Sequence, residues 1–501
     1  MYLGFGLRAK DYLIAVYDVG KTNKKFMLFN SELEPVYKAT KRIDEISKNG
    51  MLYDDADSII RWMKEALAEA PERDKIKAIA ITTFGATGAL LDSRGELVIP
   101  VISYNNEIPR EIRDDFYATF GSPEELYVRT GTPPYGQLLN FGIQLFWIKR
   151  TMSRKYEETK TILFLPQYLS YMLTGSKAIE ITSVGCHTYL YDIVKRGWSS
   201  VAEGLEVPEK APGEFTEVWE SIGEAKWLEG ALVTTGIHDS NASLVPFLIA
   251  GWKQKFVLAS TGTWCVFMYP GAEFRPRRED VYRDVLYYID AFSRPVRSAR
   301  FKGGYEFEYY AGLISRMFKV PASSFLDMDV DEKTFEELLR AKRLFVIPTL
   351  TPGSGQFPRS KGRIVGREEF SKDLKIAYHA LNASMAVQTY FALKAMLEEE
   401  RGLKVTVVGG FSKNPMYLRM LATMLRSLGI KVFKTEYEDL TSLGTAVTAK
   451  IAYEGVAPGE VDREVIDKAL KEIEIKPLEG IDEGMVTEYI DKFEELCLSS
   501  A

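Results

Sequence analysis

Twice along this 501-residue chain, apolar runs joined by tight turns give way to an amphipathic helix and then to one more apolar run. That recurring order limits the fold more than any single motif does. The pattern predicts three short strands from Tyr12 to Thr40. The spacing of Ile59, Ile60, Met63 and Leu67 predicts a helix from Asp54 to Ala70, and KIKAIAITTFG returns to strand. Later, FVLASTGTWCVFMY and LYYIDAF read as strands, Asp373 to Glu398 as a long helix, and Lys404 to Val408 as a strand. The repetition lies in element order more than in residue identity. A chain of this length exceeds what one hydrophobic core serves. The expectation is an α/β protein of two similar halves, residues 1–250 and 251–455, with the boundary near Gly251. The charged, partly helical tail 456–501 is expected to pack on the second half. No long linker separates the halves, so they should enclose a cleft.

A net charge of -6 argues against a nucleic-acid binder. Cys186, Cys265 and Cys497 are too scattered for a disulfide framework or a zinc cluster, which fits reducing cytoplasm. The first residues lack the features of a secretion signal, and apolar runs break well before the ~20 residues of a membrane helix. Cys186-His187 and His379 have no partner cluster in the sequence and read as structural residues.

The stretch YLIAVYDVGKTNKKFMLFN contains GKT and invites a Walker loop, but the glycine needed five residues earlier is Ala15. After the turn comes a short apolar run, so the unit reads as strand, tight turn, strand. Asp18 closes the first strand, Gly20 permits the bend, and Thr22 and Asn23 sit near the tip. Similar glycine-bearing turns follow apolar strands at TTFGATG (Thr82 to Gly88), STGTW (Ser260 to Trp264) and VVGGFSKNP (Val407 to Pro415), and GIHDSN (Gly236 to Asn241) adds a carboxylate turn. Asn414-Pro415 suits the N-cap and first turn of a helix.

Together with FLPQYLSYMLTG, ITSVGCHTYLYD, VIPTLTPGSGQFP and DLTSLGTAVTAKIA, these turns make nearly the whole chain resemble the FGGY carbohydrate kinases. HDSNA and GTW look most like the rhamnulokinase/fuculokinase-like branch. The resemblance implies two actin-like (ribonuclease H-like) domains with a catalytic cleft between them. Residues 1–250 would bind sugar and 251–455 ATP, with Mg²⁺ as the metal. Asp239 would be the catalytic base taking the proton of the accepting hydroxyl. A bland alternative makes it the cap of a helix beginning at Asn241. Asp18, joined by Asp239, would hold Mg²⁺ through water.

For the nucleotide the resemblance points to Gly20, Lys21, Thr22, Asn23, Thr261, Gly262, Thr263, Gly409, Gly410 and Asn414, with Thr263 the phosphate contact and Gly410 nearest adenosine. Lys21 stands where many relatives have a hydroxyl residue, and either meets phosphate or lies in solvent. Sugar candidates are Gly85, Ala86, Tyr104, Asn105, Asn140, Gln144, His238 and Ser240. Tyr104-Asn105-Asn106 replaces an Arg-Asp type of pair, and Phe301-Lys302-Gly303-Gly304 stands where rhamnulokinases have NEGG. The implied activity is ATP-dependent phosphorylation of a ketose, with a 6-deoxyhexulose such as L-rhamnulose or L-fuculose the expected acceptor. A pentulose or polyol kinase and a non-kinase actin-like nucleotide sensor are the alternatives. The implied partners are a small sugar and MgATP, without nucleic acid or membrane, and a homodimer is left open.

Overall fold

A computed structural model describes residues 11–134, 137–250, 255–397, 400 and 402–499. In the first half, β1 (Leu13–Val19), β2 (Asn23–Asn30) and β3 (Pro35–Arg42) form an antiparallel meander. A small hairpin and α1 (Ala56–Ala68) follow, and β4 (Ile76–Thr83) returns parallel to β1. α1 begins where the Asp55 carboxylate accepts from Ser58 N–H, and it buries Ile59, Met63 and Leu67. After a largely helical region, the chain re-enters this sheet as β5 (Ser221–Glu224), β6 (Leu232–Thr234) and the two-residue β7 (Ile237–His238). The sheet order is β5-β6-β4-β1-β2-β3, with β7 also on β4. From β7 the chain runs straight into α2 (Asp239–Ile249).

The second half repeats the plan. Its sheet contains β8 (Phe256–Thr261), β9 (Cys265–Pro270), β10 (Val285–Ile289) and β11 (Pro295–Phe301). These are followed by α3 (Gly303–Phe318), α4 (Leu374–Leu397), β12 (Lys404–Gly409), α5 (Pro415–Leu425), β13 (Lys431–Thr435) and α6 (Leu440–Glu454). The order is β10-β11-β9-β8-β12-β13-β14, where β14 is Glu472–Ile475. As in the first sheet, the opening strand pairs antiparallel with its hairpin partner and parallel with the strand after the helices. Both halves therefore have an antiparallel opening hairpin and a parallel return, although in the second half β9 pairs with β11 and β10 lies beyond it at the edge.

α2 and α6 lie between the two sheets. One apolar core joins Val16 and Ala80 of the first sheet, Leu258 and Val408 of the second, and Leu244, Val245, Leu443 and Val447 of the helices. Gly444 makes this packing close, since a Cβ there would fall 1.7 Å from the carbonyl oxygen of Ala242. Separate cores cover the outer faces, one under α1 and one around α4.

One strand, β11, lies outside the expected set, because Arg297 and Arg300 disguise its buried run. Asp280 and Asp284 neutralise those guanidiniums at 3.0 and 3.2 Å. In the partly helical tail, β14 adds the last strand of the second sheet and α7 (Glu483–Leu498) follows it. The tail also reaches the first half, where Lys468 pairs with Glu34 at 2.7 Å. The expected boundary at Gly251 and the last residue of the long helix, Glu398, lie outside the described residues. No helix among the described residues is long and apolar enough to cross a membrane.

Candidate active site

The first hairpin is fixed by register. Val19 pairs with Lys24 and Asp18 with Lys25, leaving Gly20 to Thr22 and the exposed Asn23 at the turn. A Cβ on Gly20 would stand 2.8 Å from the Asn23 carbonyl, so the bend requires glycine. Buried Lys24 braces the turn from behind, donating to the carbonyls of Lys21 and Ile43, each at 2.8 Å. Burial lowers its pKa to about 8.

Lys25 lies between two carboxylates. Its Nζ lies 2.6 Å from Asp18 Oδ2 and 2.7 Å from Asp439 Oδ2, the N-cap of α6. Burial, only partly offset by Lys25, raises the Asp18 carboxyl to about 6, and Asp439 and Asp239 add to the rise. Against burial, Asp18 and Asp439 hold the Lys25 ammonium above its ordinary value.

Lys21 does not simply lie in solvent, its side chain being 16% exposed. Its ammonium is taken by Asp54 Oδ1 at 2.7 Å, Glu45 Oε1 at 2.8 Å and Ser103 Oγ at 2.9 Å. It also lies over the rings of Tyr104 and Phe84, at 4.4 and 4.8 Å. Asn105 Nδ2 donates to both oxygens of Glu45 at 3.2 Å. Lys21 and Asn105 thus belong to one network, which ties the hairpin turn to the wall carrying Tyr104. Glu45 and Asp54 were not singled out in the sequence.

Asp239 is the first helical residue of α2, not the cap of a helix beginning at Asn241. Its Oδ1 accepts from Ser240 N at 2.6 Å and Ser240 Oγ at 3.2 Å. His238 Nε2 is also 3.2 Å away. Oδ2 has no partner among the described residues, and the side chain is 36% exposed beside a His238 that is 6% exposed. Burial lowers the His238 pKa, opposed by Asp239, so the ring is neutral at pH 7. A proton on Nε2 serves Asp239 and leaves Nδ1 to accept from Asn241 Nδ2 at 3.4 Å. Cys186 Sγ is 3.8 Å from Nε2, and a Cβ on Gly85 would come within 3.0 Å of the same atom. The structural reading of Cys186 stands for a buried thiol, although it lies against the site. His379 is likewise satisfied, accepting at Nε2 from Asp331 N at 2.9 Å.

Two sugar candidates are buried. Gln144 is 1% exposed and its Nε2 bonds the carbonyls of Ala86 and Leu138, at 2.7 and 2.6 Å. Asn140, fully buried, caps its own helix by accepting from Ile143 N at 3.2 Å. The Gln144 amide nitrogen is thus taken by the wall itself, whereas Asn140 Nδ2 is buried with no hydrogen-bond partner among the described residues and keeps a donor uncommitted. Ala86, at φ 54°, holds the left-handed turn that Gln144 braces.

Across the cleft, Thr261, Gly262, Thr263, Gly410 and Asn414 line a common pocket of about 570 Å³ with Gly304, Phe307 and Ala311. Thr261 Oγ1 accepts from Phe411 N at 2.9 Å, and Gly409, at φ 83°, passes so near that a Cβ would be 2.2 Å from the Thr261 carbonyl. Gly304 must also be glycine, because its Cβ would lie 2.0 Å from the Gly262 carbonyl. Asn414 caps α5 at Tyr417 N, with Pro415 in the first turn, as the sequence predicts. Its Nδ2 is held by Asn382 Oδ1 at 2.7 Å, so its side chain is committed to structure. Gly262, Thr263 and Gly410 are the exposed backbone of this pocket.

The carboxylates suit a hard cation. Asp18, Asp239 and Asp439 interact, the only ammonium contacting Asp18 among the described residues is that of Lys25, and a spare negative charge remains. No group of three or more His, Cys, Asp or Glu side chains placed to hold a metal ion occurs among the described residues.

A family profile described as the FGGY family of carbohydrate kinases, N-terminal domain, matches residues 12–245, and one described as carbohydrate kinase FGGY, C-terminal domain, matches 253–457. L-fuculokinase from Escherichia coli (strain K12) is 26% identical over 283 residues, 53% of this chain and 58% of the relative. Rhamnulokinase from Halalkalibacterium halodurans is 25% identical over 257 residues, 49% and 52% of the two chains. The matched stretches thus span little more than half the length of these relatives. Among solved structures, a carbohydrate kinase from Novosphingobium aromaticivorans superposes with a TM-score of 0.77 at 24% identity, covering 98% of this chain and 100% of that one. Ligand-bound xylulose kinase from Lactobacillus acidophilus gives 0.80 at 16% identity, covering 97% of each. These likenesses establish the two-domain actin-like fold.

Proposed function

The chain belongs to the FGGY family of carbohydrate kinases, and on that premise we propose that it transfers the γ-phosphoryl group of ATP to a hydroxyl of a ketose. The observation that carries this reading is Asp239: one oxygen is held by Ser240 and His238, and the other has no partner among the described residues. An acceptor hydroxyl bonded to that oxygen is oriented for attack and loses its proton to it. The hydroxyl oxygen bonds to the γ-phosphorus as the bond to the β–γ bridging oxygen breaks, and ADP leaves.

Lys25 supplies positive charge beside the first hairpin, and the exposed backbone of Gly262, Thr263 and Gly410 lets a nucleotide approach closely. Asp18 and Asp239 would hold Mg²⁺, which when bound offsets charge on the phosphates. His238 and Tyr104 border the acceptor side, with Gly85 keeping room there. The finer reading is a 6-deoxyhexulose, supported by the named L-fuculokinase and rhamnulokinase relatives. A coupled ADP-release assay over L-fuculose, L-rhamnulose, pentuloses and polyols tests it. Turnover with none of them would overturn the kinase reading, and a preference for a pentulose or polyol would overturn the finer one.

A further inference from the structure

The Lys302 departure from NEGG opens onto a second recess. Arg113, Arg300, Lys302 and Arg359 line a groove of about 830 Å³, together with Trp264 and Asp284. The turn after β8 divides it from the candidate nucleotide pocket, because Trp264 and Lys302 face this groove whereas Gly262, Thr263 and Gly304 line the other.

Glu107 and Asp284 are the carboxylates lining this groove, against its four cations. Asp284 is committed, with Oδ1 3.2 Å from Arg300 Nε and Oδ2 accepting from Gly355 N at 2.7 Å. The nearest carboxylate to Arg113 is Asp114 at 3.9 Å. Lys302 and Arg359 have no ion-pair partner among the described residues. Lys302 Nζ instead sits 5.1 Å from the Trp264 ring, whose face the Arg300 guanidinium also approaches at 4.4 Å. Two cations beside one indole leave a positive centre that an aromatic face only partly offsets. Burial and neighbouring Arg300 depress the Lys302 pKa, a strain that a bound anion would relieve.

We propose that this groove binds an anionic polyhydroxylated small molecule, a sugar acid or a sugar phosphate, whose charged group is held by Lys302 and Arg359 and whose carbon chain lies along Trp264. A carboxylate or phosphate ester supplies the missing charge, and the indole face suits the C–H surface of a polyol. The inference concerns binding and goes beyond the ketose reading. A chain that phosphorylated no ketose could still satisfy it.

The test is calorimetric titration of the full chain with D-gluconate and D-fructose 6-phosphate, against neutral sorbitol and D-fructose, with inorganic phosphate as a further probe. At least one anionic polyol should bind about tenfold or more tighter than its neutral counterpart, and Lys302→Gln and Arg359→Gln should each remove most of that preference while Lys302→Arg retains it. ATP affinity should stay within about twofold in all three variants. Equal binding of charged and neutral compounds overturns the proposal. So does a Lys302→Gln variant that loses ATP affinity instead, or inorganic phosphate binding as tightly as the anionic polyols. ADP release with the tightest anionic ligand as sole acceptor then separates a phosphorylated substrate from a ligand that only occupies the groove.

Discussion

Lys25 Nζ bridges Asp18 Oδ2 and Asp439 Oδ2 at 2.6 and 2.7 Å, so one ammonium joins carboxylates contributed by the two halves of the chain. Replacing it by Lys25→Met leaves two largely buried negative charges facing each other. The expected loss is about 3 kcal/mol of stability. It should be larger at pH 8 than at pH 5, where protonation of Asp18 relieves the repulsion. Denaturant titration at both values measures it, and added Mg²⁺ should restore part of the loss.

Asp18 gives the pH dependence its sign. Its folded pKa of about 6 exceeds the ordinary carboxylate value, so the folded protein keeps this proton to higher pH than the unfolded chain does. Its contribution to stability therefore falls as pH rises from about 4 to about 6 and is flat above. Catalysis runs the opposite way, because cation binding needs the carboxylate. kcat/KM should decline below about pH 6, and raising Mg²⁺ should move that limb to lower pH. A limb indifferent to Mg²⁺ would contradict the assignment of Asp18.

Asp239→Asn keeps the size of the side chain and removes the proton acceptor. Turnover should fall by about 10²–10⁴-fold with ATP affinity within about twofold. Steady-state kinetics and nucleotide titration together check both halves of this expectation.

Lys21→Met should raise KM for the acceptor while leaving KM for ATP nearly unchanged, since its ammonium holds Glu45 and Asp54 behind Tyr104. Lys21→Arg keeps the charge but not the compact ammonium seat, and should recover only part of the effect. A rise confined to KM for ATP would place Lys21 on the phosphates after all.

Much of this frame could be read along the chain. The hairpin at Gly20, the cap at Asn414-Pro415 and the helix through Ile59 and Met63 are local, and local patterns reveal them. Lys25 could also have been found: counting back across the turn from Val19–Lys24 places it opposite Asp18. Asp439 could not, because its 414-residue separation from Lys25 closes only in three dimensions. The same holds for Lys21, whose partners Glu45, Asp54 and Ser103 come from separate segments. Nor does a sequence show that the Gln144 amide nitrogen is taken by the carbonyls of Ala86 and Leu138, since an amide's type does not say what it bonds. β11 stayed hidden because its arginines are paired with acids on a preceding segment.

The near-contact of Gly444 with the Ala242 carbonyl makes the crossing of α2 and α6 a fulcrum. Asp239 lies three residues along one helix from that point and Asp439 five along the other, about 4.5 and 7.5 Å of helical rise. Any rotation of one half against the other about this contact would move these two carboxylates less than groups farther from it, so the charged centre would hold its spacing best. A larger side chain at Gly444 would displace the fulcrum itself, harming the chemistry without touching a substrate.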